Sequence, residues 1–270
     1  MRKNRGIIFK GIMYGVVFFL IAPLIVIVIW SFTKNWPWPN IFPDELGFRG
    51  WKYFFSPTSK SVNTLLYSIL LSGTVTLVTL IITIPASKAL ALYEFKGKKT
   101  VEILILAPLI VSPVAIAMGV HQLFIKLRLA NTFIGVVLVH LIPCIPYGVR
   151  ILKNVFEITG ERMEMQARVL GATYFQAFRY ITLPIIAPGI VSAGSLIFTV
   201  SFSQYFLTFL IGGGRVITYP MIMIPFVQSG DRMLASVYST IFILSSLVCL
   251  KLMDRVVSKY YKSENHFFVF

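Results

Sequence analysis

Six stretches of this chain are too apolar and too long to be covered by water: Gly11 to Phe32, Thr64 to Leu92, Val101 to Phe124, Phe133 to Val149, Pro184 to Ile211 and Met233 to Leu252. A helix needs about 17–25 such residues to cross roughly 30 Å of hydrocarbon. No water is present there to satisfy the backbone, so each run is expected to close its hydrogen bonds internally as a helix. Composition agrees, with 57% hydrophobic residues, 13% charged residues and a mean hydropathy of +0.81. A soluble domain carries about 25% charged residues. The expected fold class is an all-α membrane protein with six transmembrane helices. Its parts are an N-terminus over 1–10, a first helix over 11–32, a loop over 33–63, a core over 64–252 that includes a loop over 150–183, and a tail over 253–270.

Charge sets the expected orientation. Of the 25 Lys and Arg residues, 17 fall on one side of the six crossings, in the N-terminus, between Lys88 and Lys99, between Arg150 and Arg179, and from Lys251 onward. Cytoplasmic loops collect basic residues, so both termini are expected in the cytoplasm. Trp30, Trp36 and Trp38 cluster at the far end of the first run, where amphipathic rings favour the headgroup level. A secretory leader is the weaker reading of that run, which exceeds the usual apolar region and has no small-residue cleavage site after it. Cys144 and Cys249 lie in apolar runs, where a thiol packs as a small hydrophobe.

Catalytic chemistry is missing by inventory. The chain has no His-Glu-x-x-His and no Gly-x-Ser-x-Gly, and His121, His140 and His266 are too far apart in sequence to suggest a metal set. Gly97-Lys98-Lys99-Thr100 lacks the first Gly and the magnesium-facing Ser or Thr of a phosphate loop, so it reads as a solvated turn. Neither a metal nor another cofactor is expected. Ionisable groups inside a membrane point to proton or ion paths. Here Lys88 and Glu102 sit near helix ends, leaving His121 and His140 as interior candidates for either a relay or hydrogen-bonded packing.

The loop after the fourth run carries the most information. At a 3.6-residue period Met163, Ala167, Leu170 and Tyr174 share one stripe, with Glu161, Arg162, Glu164 and Arg168 away from it. This predicts a short amphipathic helix, either lying on the lipid surface or inserted into a groove of a partner. Gly171 can end it in a left-handed conformation, a second short element fits Phe175 to Tyr180, and Pro184 suits the first turn of the next span. In the fifth span Ser201, Gln204, Tyr205 and Thr208 fall on one helical face, which either lines a path or forms interhelical hydrogen bonds. In the second span Ser72, Thr76, Thr79 and Thr83 form a stripe suited to close helix packing. Pro143 and Pro146 are expected to kink the fourth.

Gly171-Ala172, nine residues from Gly171 to Ile181, then Leu183-Pro184 resembles the signature loop of inner-membrane permease subunits of binding-protein-dependent ABC importers. That pattern is Glu-Ala-Ala, three residues, Gly, nine residues, Ile-x-Leu-Pro. Ala167 matches its second Ala, while Met165 and Gln166 replace its Glu and first Ala, with Glu164 one residue earlier. The resemblance covers roughly Val62 to Leu252 and is greatest for the branch containing the second permease of spermidine/putrescine importers. It implies a type I importer permease architecture and three kinds of partner: a cytoplasmic ATPase dimer, a second permease subunit of different sequence, and an extracytoplasmic solute-binding protein. Carried over residue by residue, it implies coupling to the ATPase by Met163, Glu164, Ala167, Arg168, Leu170, Gly171, Ala172, Tyr174, Phe175, Leu183 and Pro184. The expected pathway set is Ser201, Gln204, Tyr205, Thr208, His140 and Tyr147. The competing reading is a self-contained six-helix channel or secondary carrier.

Overall fold

The structure is a computed structural model, described here for residues 2–35, 43 and 45–262. Trp36, Trp38, His266 and the last eight residues of the tail lie outside the described residues. The chain divides into two compact units, Met1–Asn63 with Ile222–Ser245, and Thr64–Met221 with Ser246–Phe270.

The first unit contains α1 (Arg2–Trp30), a small antiparallel pair of β1 (Thr33–Asn35) and β2 (Glu45–Leu46), and α2 (Arg49–Phe55). It also holds most of α11 (Tyr219–Ser229) and the first part of α12 (Arg232–Lys262). From Ile12 to Trp30 none of α1 is buried, as expected of a helix whose apolar surface is covered by lipid rather than protein. Gly50 lets α2 approach α12 closely, since a Cβ there would stand 2.9 Å from Val237 Cγ2. Phe54 and Tyr238 meet edge to face beside it, with the Tyr238 hydroxyl bonded to Ser61.

The second unit is built on α3 (Ser61–Leu92), α6 (Phe133–Thr159) and α9 (Leu183–Phe202), with α6 and α9 forming its most extensive helix pair. Val136, Val139, Cys144, Leu152, Ala193 and Ile197 are fully buried in its core. Small residues bring the backbones together, as is usual where lipid removes the hydrophobic drive for helix association. A Cβ on Gly148 would meet Thr83 at 2.9 Å, and one on Gly189 would meet Val155 at 2.7 Å. The Ser72, Thr76, Thr79 and Thr83 stripe of α3 is wholly buried, with Thr76 and Thr79 hydroxyls donating to the Ser72 and Val75 carbonyls at 2.7 Å. It is a packing face.

Among the described residues five helices are long and apolar enough to cross a membrane singly, and a bent pair can supply the sixth. Two expected spans are therefore not continuous. The third is α4 (Lys98–Leu106) followed, after a short 3-10 turn, by α5 (Pro113–Lys126), with a bend of 102° between them. Pro108 and Pro113 explain the break, because each removes a donor and Ser112, the residue before Pro113, is pushed to extended backbone with ψ 133°. The fifth span stops at Phe202 and resumes as α10 (Phe206–Gly212). The fourth and sixth run further than their apolar cores, to Thr159 and Lys262, and α6 remains helical through Pro143 and Pro146.

Candidate functional site

The 150–183 loop folds into α7 (Arg162–Val169), α8 (Tyr174–Ala177) and a π turn (Phe178–Thr182) that leads into α9. Every junction has a local cause. Gly171 has φ +94°, its N–H donates to the Arg168 carbonyl at 3.1 Å, and the Ala172 N–H reaches Ala167 at 3.0 Å. Together these form the paired hydrogen bonds of a Schellman stop. Thr173 then starts α8 with a capping box: its hydroxyl accepts from the Gln176 N–H, and the Gln176 side chain accepts from the Thr173 N–H at 2.8 Å. The wider π turn lies just before Pro184, whose ring would collide with the carbonyl four residues earlier in a regular helix. The chain thus makes a stop, a corner and a new start with few free backbone groups.

What holds α7 in place is polar. Lys88, in the last turns of α3, donates to both Glu164 oxygens at 2.9 and 2.7 Å, and the Thr182 hydroxyl donates to Glu164 at 2.7 Å. Lys88 and Glu164 are only 6% and 7% exposed. Tyr174 closes over the pair, its ring centroid 5.0 Å from the ammonium, and Arg168 lies 5.8 Å from the same ring. Burial pushes the Glu164 carboxyl up, but the hydrogen bonds from Lys88 and Thr182 outweigh it and hold the group below its ordinary value. Just beyond α3 the neighbouring Glu161 carboxylate, reinforced by burial, holds the Tyr93 phenol above its usual pKa.

The stripe expected to meet lipid or a partner groove is not packed inside the subunit. The polar Glu164 face is turned inward, whereas Met163, Leu170 and Tyr174 of the apolar stripe are exposed and Ala167 is half-buried. Met165, Val169 at 87% and Leu170 at 88% exposure form an outward apolar ridge, and Phe175 is exposed on α8. A shallow depression of about 560 Å³ opens between Arg162, Met165, Gln166, Val169 and Leu170. Ala172, Leu183 and Pro184 are half-buried behind it. Glu164, expected as an acid available to a partner, is committed inside the subunit. Lys88 and Thr182 were absent from the expected set; a lone Lys inside an apolar run was the one signal for the former.

A second polar constellation sits at the break in the fifth span. His140 of α6 is fully buried, with Nδ1 3.0 Å from Ser201 Oγ and Nε2 2.9 Å from Thr208 Oγ1. The Thr208 hydroxyl donates to the Gln204 carbonyl at 3.1 Å, so it must accept from His140 Nε2–H, which leaves Nδ1 to accept from Ser201. The neutral imidazole therefore spans the interruption, bonded to α9 on one side and α10 on the other. Because residues 203–205 are not helical, the expected common face of Ser201, Gln204, Tyr205 and Thr208 does not exist. Ser201 and Thr208 are buried at His140, whereas Gln204 and Tyr205 are half-buried at the break and Tyr205 stacks on Phe209 with centroids 5.7 Å apart. Tyr147 is half-buried on α6, one turn beyond Pro143 and outside this network.

No protein-family model matches the chain. It is 24% identical over 260 residues to the spermidine/putrescine transport system permease protein PotC of Haemophilus influenzae, covering 95% of this chain and 98% of that one. It is 26% identical over 223 residues to the putrescine transport system permease protein PotI of Escherichia coli, covering 78% and 77%. Its fold matches a chain from the crystal structure of a bacterial ABC transporter involved in import of the acidic polysaccharide alginate. That match has a TM-score of 0.72, 15% identity, and coverage of 97% and 98%. With a loop of the right spacing folded into a capped corner, and similarity to transport permeases along nearly its whole length, this multi-pass chain is similar to the membrane permease subunits of ABC importers.

Proposed function

We propose that the subunit forms half of the translocation path for a small polar solute, with α7 and α8 receiving force from a cytoplasmic ATPase dimer. ATP is hydrolysed on those partners, and the chain itself performs no chemistry. A second permease of different sequence completes the path, and an extracytoplasmic binding protein delivers the solute. Both termini face the cytoplasm, in keeping with the distribution of Lys and Arg. The observation that carries this reading is the polarity of α7: an internal ion pair anchors it while its apolar ridge stays uncovered. A helix that needed only to rest on its own subunit would bury Val169 and Leu170. One presented to a partner leaves them out, in the manner of a helix that enters a groove.

The path is assigned to the surroundings of the break in the fifth span, where Gln204 and Tyr205 offer polar groups beside the His140 network. Between Glu102 and Glu157, and between Glu164 and Asp231, the sequence has no carboxylate. A polyamine would find no anion there to offset its desolvated ammonium groups, so the solutes named for the relatives do not carry over by name. Val169→Asp/Leu170→Asp tests the coupling role. Because both positions are almost fully exposed, membrane insertion and thermal stability should be unchanged, whereas ATPase subunits should no longer co-purify and uptake should fall to background. Normal uptake by the double variant would refute the assignment.

A further inference from the structure

The first unit has a cavity of about 870 Å³ whose walls include Trp30, Lys34, Arg49, Lys52, Asp231 and Arg232. Its place in the chain fixes its depth: Trp30 is the last residue of the lipid-facing α1, and Arg232 is the first residue of the membrane helix α12. A space bounded by the ends of two spanning helices lies at the level of the lipid headgroups. The aromatic rings around it agree, with Phe32 stacked on Trp51 at 5.4 Å and Trp51 on Phe55 at 6.5 Å, as in an interfacial belt.

Among the described residues, four cations and one carboxylate line this space. Asp231 is already engaged, one oxygen accepting from Arg49 at 2.8 Å and the other capping α12 through the Leu234 N–H at 3.1 Å. Glu45 nearby offsets Lys34 at 2.7 Å. Lys52 makes no ion pair among the described residues, and the Arg232 guanidinium lies over the Trp30 ring at 5.6 Å. Among the described residues formal positive charge therefore exceeds negative, with Lys34, Arg49, Lys52 and Arg232 against Asp231 and Glu45, and the start of α12 adds the partial positive charge of a helix N-terminus. Below the cavity, Ile25, Val28 and Ile29 on the last turns of α1 are exposed and apolar. We infer that this cavity holds the phosphodiester headgroup of an anionic phospholipid, between Arg49, Lys52 and Arg232, with its acyl chains running along the end of α1. The apolar surface beneath the cations is what favours a lipid over free phosphate. In the orientation proposed above this is the extracytoplasmic leaflet, where basic residues run against the usual charge bias.

Native mass spectrometry of the detergent-purified full-length chain, offered phosphatidylglycerol, phosphatidylethanolamine or inorganic phosphate in turn, tests the site. Phosphatidylglycerol should be retained in preference to phosphatidylethanolamine and should survive millimolar phosphate. Each basic group near an anionic headgroup is worth about fivefold in affinity, so Lys52→Gln should lower retention about fivefold and Lys52→Gln/Arg232→Gln about thirtyfold. Lys52 is exposed, so the single variant leaves the fold intact even if the double variant does not. Equal retention of the two lipids, retention unchanged in Lys52→Gln, or displacement by phosphate alone would overturn the proposal. Displacement of bound lipid by an excess of an acidic soluble binding protein would assign the cavity to protein docking and overturn it equally.

Discussion

Replacing Glu164 by Gln removes one charge from a pair that is more than nine-tenths buried. The shape is almost unchanged, and the amide oxygen can still accept from Thr182 or Lys88, but the Lys88 ammonium loses its counter-charge in a site that excludes water. Breaking one side of a buried pair typically costs about 3–5 kcal/mol, because the remaining ion is left uncompensated. Replacing both partners with apolar groups is often neutral, so Lys88→Met/Glu164→Met should regain most of the thermal stability lost in Glu164→Gln. It should not regain coupling, since the bonds that lock α7 to α3 and to the π turn are gone. Thermal unfolding of the purified transporter, with uptake and ATP hydrolysis measured together in proteoliposomes, separates the two effects. The expected pattern is low stability and low uptake for Glu164→Gln, then recovered stability with ATP turnover poorly converted to transport for the double variant. The pH dependence has a definite sign. The Glu164 carboxyl is held below its usual value, so its contribution is complete above the ordinary carboxyl range and is lost as pH falls through the lowered folded value. Anchoring should hold throughout neutral and mildly acidic conditions. A Glu164→Gln protein with the melting temperature and uptake-to-ATP ratio of the parent would refute the anchoring argument.

Two further outcomes follow from local geometry. Gly171→Ala meets no atom within 4 Å, so its cost comes only from holding an L-residue at φ +94°, about 1–2 kcal/mol, and Gly171→Asn should cost less; thermal unfolding of the two variants ranks them, and equal stability of all three proteins would contradict the left-handed corner. His140→Leu leaves the Ser201 and Thr208 hydroxyls without their shared partner, at about 1–3 kcal/mol for each buried group that stays unsatisfied, and His140→Leu/Ser201→Ala/Thr208→Val should recover part of that loss. If the triple variant is no more stable than the single one, the imidazole is not the pin across the break.

How much of this could be read from the sequence depended on the range of the interaction involved. Membrane spans are one-dimensional facts: a sufficient run of apolar residues crosses whatever its neighbours do, so all six regions were legible. The Gly171 corner was equally local, since a residue at positive φ followed by a threonine cap is written within six positions. The bend between α4 and α5 was also written locally, in Pro108 and Pro113, but hydropathy is blind to backbone donors and treats both as part of one run. The break at 203–205 carries neither proline nor glycine. It is stabilised by His140, more than sixty positions away, which bonds to both sides of it. Lys88 and Glu164 are separated by 76 positions, and nothing in either neighbourhood announces the other. The inward face of α7 was not legible for a different reason. Periodicity identifies residues that share a face, here one directed to lipid or a partner groove, but it does not say which polar residue completes the inside of the loop. In a subunit that also faces lipid and a partner protein, apolar residues have other places to go, while an ion pair with a threonine donor has only the protein to complete it. The buried polar group is therefore the better marker of the inside of this loop, and Val169 and Leu170 are the apolar residues it leaves uncovered.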